Sequence, residues 1–152
     1  MNSVIISAFV IGVACGLRAI VGLAAVSWAA NSEHLPLQGT WFSFLAKRIT
    51  AFILSFMALG ELVTDKLPKT PSRLVPPQFG ARLLMGATSG AAVGLSRGNV
   101  IVGLIAGIVG SVVGTYGGSK ARAFAARSFG RDLPAALLED VLAVALTFVA
   151  LR

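Results

Sequence analysis

Two pairs of carboxylates are the residues of this sequence most suited to chemistry. Glu61 and Asp65 are four residues apart, and Glu139 and Asp140 are adjacent. On a helix, the first spacing places both carboxylates on one face, whereas neighbouring residues point in different directions. Paired carboxylates can coordinate a cation or transfer protons. We expect Glu61, Glu139 and Asp140 to form a polar core, with ion pairs to nearby arginines as the structural alternative.

The strongest candidate for a binding site is the segment 65–77, which holds four of the six prolines. Proline fixes φ, so this basic segment is expected to be extended and stiff. Cations on a rigid backbone suit a phosphate-bearing group, which arginine can bind through two hydrogen bonds. A loop that is basic for membrane topology alone is the alternative. The predicted substrate-binding residues are Arg18, Asp65, Lys66, Lys69, Thr70, Arg73, Arg82 and Arg122.

Arg18 is unusual because it lies deep within the first apolar stretch. Fifteen residues of continuous helix correspond to roughly 22 Å. A charged side chain at that depth is costly and normally faces a polar interior or a carboxylate. The sequence leaves two roles open for Arg18: contact with a substrate or ion, and a buried structural ion pair.

The sequence contains no recognisable catalytic motif. Cys15 is the only cysteine and His34 the only histidine, so neither a disulfide nor a Cys/His metal site is expected. Nucleophile-elbow, Walker and HExxH patterns are absent. We therefore predict no catalytic residue and no cofactor, and we leave the metal question open.

The composition indicates a membrane protein. Hydrophobic residues make up 56% of the 152 residues and charged residues 12%, against about 45–50% and about 25% in soluble domains. The long apolar stretches are typical of a polytopic bundle. We expect an all-α fold in which residues 1–152 form a single transmembrane domain.

Glycines recur along two apolar stretches at steps of four residues, with one step of three between Gly107 and Gly110. The first series is Gly86, Gly90, Gly94 and Gly98, and the second is Gly103, Gly107, Gly110, Gly114 and Gly118. A four-residue step returns to nearly the same helix face, so each series predicts a groove without side chains. In a bilayer such a groove allows a second helix to approach closely. We expect these helices to be the central scaffold.

Five membrane spans are predicted, the first interrupted near its middle at 16–18. They are Ser3–Ala29, Trp41–Thr64, Ala81–Leu95, Val100–Gly118 and 132–152. Residues 119–131 are expected to form an interfacial helix. Because the third span is short, the third and fourth could instead form a re-entrant hairpin. Five short spans enclose little interior, so we also predict a homo-oligomer.

Charge predicts the orientation. The net charge is +7, and with five spans most basic residues fall in the second and fourth loops. The positive-inside rule then places the N-terminus in the cytoplasm and the C-terminus outside. We expect a multi-pass protein of a bacterial inner membrane, whose partner is the bilayer with anionic lipid on the cytoplasmic side. Nucleic acid is not expected as a partner.

Several segments together resemble a known family. They are Gly16-Leu17-Arg18-Ala19, the run from Glu61 through Asp65-Lys66-Leu67-Pro68-Lys69-Thr70-Pro71-Ser72-Arg73, the run from Arg82 to Ala91, and Leu138-Glu139-Asp140. They are similar to a family of small bacterial membrane proteins catalogued only as a domain of unknown function. The resemblance implies a bacterial inner-membrane protein of this size. The family carries no established activity, so the resemblance assigns no catalytic residue.

Three functions remain open. The first is transporter- or channel-like handling of a small anionic or phosphate-bearing solute or lipid. The second is a membrane enzyme acting on a lipid phosphate, with Asp65 or Glu139 holding a divalent metal. The third is a non-catalytic assembly or partner-binding protein.

Overall fold

The protein is all-helical in the part of the chain that the computed structural model describes, residues 2–67 and 71–152. These residues form six α-helices, a short 3₁₀ turn at Ser43–Ala46 and no strand. The helices are α1 Asn2–Leu17, α2 Ala19–Asn31, α3 Arg48–Thr64, α4 Pro76–Ser96, α5 Val100–Phe129 and α6 Asp132–Ala150. The structure therefore confirms the predicted all-α class.

The first apolar stretch is two helices instead of one interrupted span. The chain leaves α1 at Arg18, whose backbone is extended (φ −138°, ψ 111°), and α2 begins at the next residue. Gly22 of α2 packs against the Cys15 side chain and the Ile11 carbonyl of α1. Because Gly22 has no side chain, α2 can fold back onto α1. The interruption seen in the sequence is thus a reversal of direction.

This reversal changes the predicted course of the chain. Arg97, in the turn between α4 and α5, donates hydrogen bonds to Ser3 O at 3.1 Å and Ser7 Oγ at 2.9 Å. Ala150 of α6 belongs to the same apolar core as Ala8 of α1. The start of α1 and the end of α6 therefore lie at one end of the bundle, which we call the Arg97 end. The prediction that the termini lie on opposite sides of a membrane counted α1 and α2 as one crossing, and the hairpin removes that premise.

Helix α5 lies against both α1 and α4, with backbones in close contact. A methyl group added to Gly90 would lie 2.8 Å from Cα of Gly107, and one added to Gly12 would lie 2.9 Å from the same atom. Gly98 differs from the other members of its series, because it has φ +78° in the turn after α4 and an added methyl would meet nothing.

The helix lengths also differ from the predicted spans. Residues 119–131 do not begin a separate interfacial helix, because α5 continues unbroken for 30 residues to Phe129, or about 45 Å. Helices α1 and α2 have 16 and 13 residues, about 24 and 20 Å, against a hydrocarbon core of about 30 Å. The short hairpin of this bundle is therefore α1–α2, whereas α4 and α5 form longer helices.

Among the described residues, α5 and α6 are the two helices long and apolar enough to cross a membrane by length and composition. Helix α3 is the least buried: only Ala51 and Ala58 are buried along its 17 residues. It packs mainly on α2. The bundle thus combines a tight α1–α4–α5 unit with a loosely attached α3.

Candidate functional site

The end of the bundle opposite the Arg97 end carries a cluster of ion pairs, and we call it the Arg18 end. Five of the six Asp and Glu residues of the chain lie there with five basic residues. The acidic members are Glu61, Asp65, Asp132, Glu139 and Asp140, and the basic members are Arg18, Lys66, Arg73, Arg82 and Arg122. They come from α3, α4, α5 and α6, from the α1–α2 turn and from the segment between α3 and α4.

Arg18 is at the centre of this cluster and is fully buried. Its Nε donates a 2.7 Å hydrogen bond to Asp140 Oδ1, and its Nη1 donates to the Asp65 carboxylate. Its Nη2 lies 3.7 Å from Glu139 Oε2. One guanidinium therefore joins the α1–α2 turn to the end of α3 and to α6. Of the two roles left open by the sequence, the structure places Arg18 in a buried ion-pair network.

Glu61 caps the start of α2. Its Oε1 accepts a 2.6 Å hydrogen bond from the Ala19 amide, and its Oε2 accepts a 2.9 Å bond from the Ile20 amide. The first N–H groups of a helix have no partner within the helix and carry partial positive charge. The Glu61 carboxylate satisfies two of them and complements that charge.

Arg82 caps the other side of the break, at the end of α1. Its Nη1 donates hydrogen bonds to Gly16 O at 3.0 Å and Leu17 O at 2.7 Å, which are terminal carbonyls of that helix. Glu61 from α3 and Arg82 from α4 thus satisfy the two sides of the break. Backbone away from water must find such partners, since an unsatisfied group there costs several kcal/mol. The Arg82 Nε, however, has no acceptor among the described residues.

The remaining cations lie nearer the surface. Arg73 holds Glu139 with both terminal nitrogens, the Nη2 to Oε2 distance being 2.9 Å. Lys66 Nζ lies 2.5 Å from Asp140 Oδ2. These contacts attach Lys66 and Arg73, which lie between α3 and α4, to α6.

Arg122 of α5 forms a two-pronged pair across the α5–α6 turn. Its Nε and Nη2 donate to the Asp132 carboxylate at 2.9 and 2.6 Å, and its Nη2 also donates to Asp65 O at 3.2 Å. Gly130 makes the turn possible with φ +66°. Asp132 is the most exposed carboxylate of the cluster, with a side chain 58% accessible.

A cavity of about 460 Å³ opens beside these pairs. Among the described residues, its charged lining comprises four cations and two carboxylates: Lys66, Arg73, Arg82, Arg122, Asp65 and Asp132. Ser72 and Ser119 add hydroxyl groups. Arg18 does not line the cavity, although its partner Asp65 does. The arrangement is suited to an anion with several oxygen atoms, which could accept hydrogen bonds from several of these donors.

Most residues proposed from the sequence meet in this one cluster. Lys69 and Thr70 lie outside the described residues. Asp132 was expected only to start a helix, and Ser119 was not singled out. A signal for Asp132 was available, since the glycine between it and Arg122 permits a sharp reversal.

The carboxylates of the cluster are occupied by protein donors. Each has an arginine, lysine or backbone N–H partner in the contacts described above. Among the described residues, no group of three or more His, Cys, Asp and Glu side chains is arranged to hold a metal ion.

Fold and site together define an all-helical bundle of apolar helices with a buried ion-pair cluster at one end. The chain belongs to the family described as Domain of unknown function (DUF4126), whose profile matches residues 5–152. This match confirms the resemblance noted from the sequence. Comparisons with curated proteins and with solved structures gave no match.

Proposed function

We propose that this protein is a multi-pass membrane carrier that binds a phosphate-bearing anion in the cavity at the Arg18 end. Membrane insertion is supported by α5 and α6 and by aromatic side chains that face outward on several helices. Phe56, Phe124 and Phe148 are 80%, 73% and 70% exposed. Exposed apolar surface on this scale is typical of contact with lipid or another protein.

Charge supports an orientation with the Arg18 end in the cytoplasm of a bacterial cell. Cations at or beyond that end outnumber those at the Arg97 end, as the positive-inside rule requires of a cytoplasmic side. Those at the Arg97 end are Lys47, Arg48, Arg97 and Arg152. With α1 and α2 as a hairpin, the start of α1 and the end of α6 would both face outward. Anionic inner-leaflet lipid would then surround the exposed Lys120, Arg127 and Arg131.

The observation that carries the proposal is the excess of cations around the cavity, whose described lining holds four cations and two carboxylates. Arg82, one of these cations, is 2% exposed, and its Nε has no acceptor among the described residues. Leaving a buried donor without an acceptor costs about 1–3 kcal/mol, and more for a charged group. An anion in the cavity would balance the excess positive charge and stabilise this poorly satisfied guanidinium. Arg73, Arg122 and Lys66 would then share the anion with their present carboxylate partners.

A carrier role is favoured over the metal-dependent enzyme because the carboxylates that would hold the metal are paired with cations. Asp65 and Glu139, the two ligands suggested by the sequence, bind Arg18 and Arg73. A divalent ion would have to displace those guanidinium groups. Homo-oligomerisation and the partner-binding role stay predictions.

Titration calorimetry of the detergent-purified protein with inorganic phosphate and pyrophosphate tests the binding step. The double variant Arg73→Gln/Glu139→Gln removes one cavity cation together with its partner, so the net charge is kept. We expect it to weaken binding at least tenfold, whereas Lys47→Gln, at the Arg97 end, leaves binding unchanged. If both variants bound phosphate and pyrophosphate equally well, or if the wild type bound neither, the proposed anion site would be wrong.

Carriage itself is tested by release of trapped phosphate or pyrophosphate from proteoliposomes. We expect the wild type to raise release above that of empty liposomes and the Arg73→Gln/Glu139→Gln variant to release at the background rate. Binding in solution without any release in this assay would argue against a carrier and leave a binding protein.

A further inference from the structure

We infer that the anion bound at the Arg18 end is the headgroup of a lipid, and that its hydrocarbon chain lies in a groove between α3 and α4. This inference rests on the anion site proposed above and goes beyond it by naming the class of ligand. The groove encloses about 610 Å³. Its apolar lining comes from three helices and the segment after α3: Ala19, Ile20, Met57, Leu67, Pro71, Ala81 and Met85.

The groove and the cationic cavity adjoin each other. Asp65, Leu67 and Pro71 line both. A ligand that occupies the two together would meet charged donors on one side of these residues and a mainly apolar wall on the other. That wall also includes the polar side chains of Glu61, Thr64 and Gln78. An amphiphile with a phosphate headgroup has that division of chemistry, whereas a free phosphate would leave the apolar groove unused.

The packing of the helices leaves the groove open on the side of the bundle. Helix α3 packs mainly on α2, and the close glycine contacts of α4 are made with α5. A methyl group added to Gly60 of α3 or Gly80 of α4 would meet nothing within 4 Å. In a bilayer this opening would face hydrocarbon, so a lipid could enter sideways without leaving the membrane.

The groove is also long enough to hold part of a chain. From Asp65 at its charged end to Met57 on α3 is eight residues, or about 12 Å along the helix. Met57 of α3 and Met85 of α4 both line the groove, and methionine side chains adapt readily to irregular apolar ligands. The opposite arrangement, with the headgroup among the methionines, would bury a charge without a partner.

Native mass spectrometry of the detergent-purified protein can separate the headgroup from the chain. The probes are phosphatidic acid, diacylglycerol, which has the same chains without phosphate, and inorganic phosphate. We expect phosphatidic acid to bind at least tenfold more tightly than diacylglycerol. Ala81→Trp fills the groove at an exposed position. It should weaken the binding of phosphatidic acid at least tenfold and leave the binding of inorganic phosphate unchanged. Ala123→Trp, exposed on α5 and remote from the groove, is the matched control.

The possible results discriminate between the two proposals. Binding of inorganic phosphate with no effect of Ala81→Trp on phosphatidic acid would overturn the lipid inference and leave the anion site standing. Equal binding of phosphatidic acid and diacylglycerol would also overturn it. Absence of binding by both phosphatidic acid and inorganic phosphate would overturn the anion site itself. If Ala81→Trp fails to fold, Met57→Trp fills the same groove from α3 and takes its place.

Discussion

Arg18 and Asp140 are 122 residues apart in the chain and are joined by a 2.7 Å hydrogen bond from Nε to Oδ1. This bond links the turn of the α1–α2 hairpin to α6. Asp65 completes the link from the end of α3. The charge buried at the turn is therefore shared by three separate parts of the bundle.

Replacing Arg18 by leucine should strongly destabilise the protein. The change leaves buried carboxylates on Asp65 and Asp140 with weaker compensation, and breaking one side of a buried pair costs about 3–5 kcal/mol. Thermal unfolding in detergent measures the effect. Arg97→Leu, which removes an exposed arginine bonded to Ser3 and Ser7, is the control and should change stability far less. Similar melting of the two variants would show that the buried network contributes little.

Replacing Glu61 should loosen the start of α2. Glu61→Ala removes both acceptors for the Ala19 and Ile20 amides and should cost about 1–2 kcal/mol, as loss of a helix cap does. Glu61→Gln keeps one acceptor and should cost less. Hydrogen exchange of peptides covering residues 19–23 reads the effect locally. Unchanged exchange in Glu61→Ala would mean that another group takes over the cap.

Two glycines of α5 should respond in opposite ways to the same substitution. A methyl group at Gly107 would press on the backbones of both Gly86 and Gly90 of α4, and overpacking of this kind costs about 1–3 kcal/mol. A methyl group at Gly117 would meet nothing within 4 Å, and alanine favours a helix by about 1 kcal/mol. We expect Gly107→Ala to lower the unfolding temperature and Gly117→Ala to keep or raise it. A lower unfolding temperature for Gly117→Ala would contradict the open space that the structure shows around Gly117.

Asp132→Asn should strengthen anion binding. Asp132 occupies Arg122 in an exposed pair, and such pairs add only about 0–1 kcal/mol to stability. Neutralising Asp132 leaves Arg122 free for a ligand and removes a negative charge from the cavity wall. Calorimetry with pyrophosphate should give a several-fold tighter Kd, with the melting temperature nearly unchanged. A weaker Kd would show that Asp132 takes part in binding.

Single cysteines can test the course of α1 and α2. Cys15 is buried, so a membrane-impermeant thiol reagent should give little background. We expect Ser3→Cys and Ser32→Cys to be labelled from the outside of intact cells and Ser128→Cys only after permeabilisation. If Ser3→Cys and Ser32→Cys were labelled from opposite sides of the membrane, α1 and α2 would together cross it once, as the sequence predicted.

The sequence predicted the helical class and most members of the site, because both follow from residue type. The apolar stretches define the helices, and charges within them need partners, which brings Arg18 together with Asp65 and Asp140. The interruption at Gly16–Arg18 was also visible. The sequence could not show what this interruption means, because an irregular span and a reversal of direction leave the same local sequence pattern.

The roles of Glu61 and Arg82 could not be predicted for a similar reason. Both looked like members of a polar core or binding site, and their targets are backbone groups, which carry no sequence signal. Only the position of the break next to α3 and α4 reveals that these side chains replace missing helical hydrogen bonds. The length of α5 was likewise hidden, because the basic residues after Gly118 suggested an interface where the helix simply continues.

The break at Arg18 has a mechanical consequence. The start of α2 is held by α3 through Glu61, and the end of α1 is held by α4 through Arg82. Any movement of α3 away from α4 is therefore transmitted to the two arms of the hairpin as a change in their angle. We therefore expect the width of the α3–α4 groove to change together with the angle between α1 and α2.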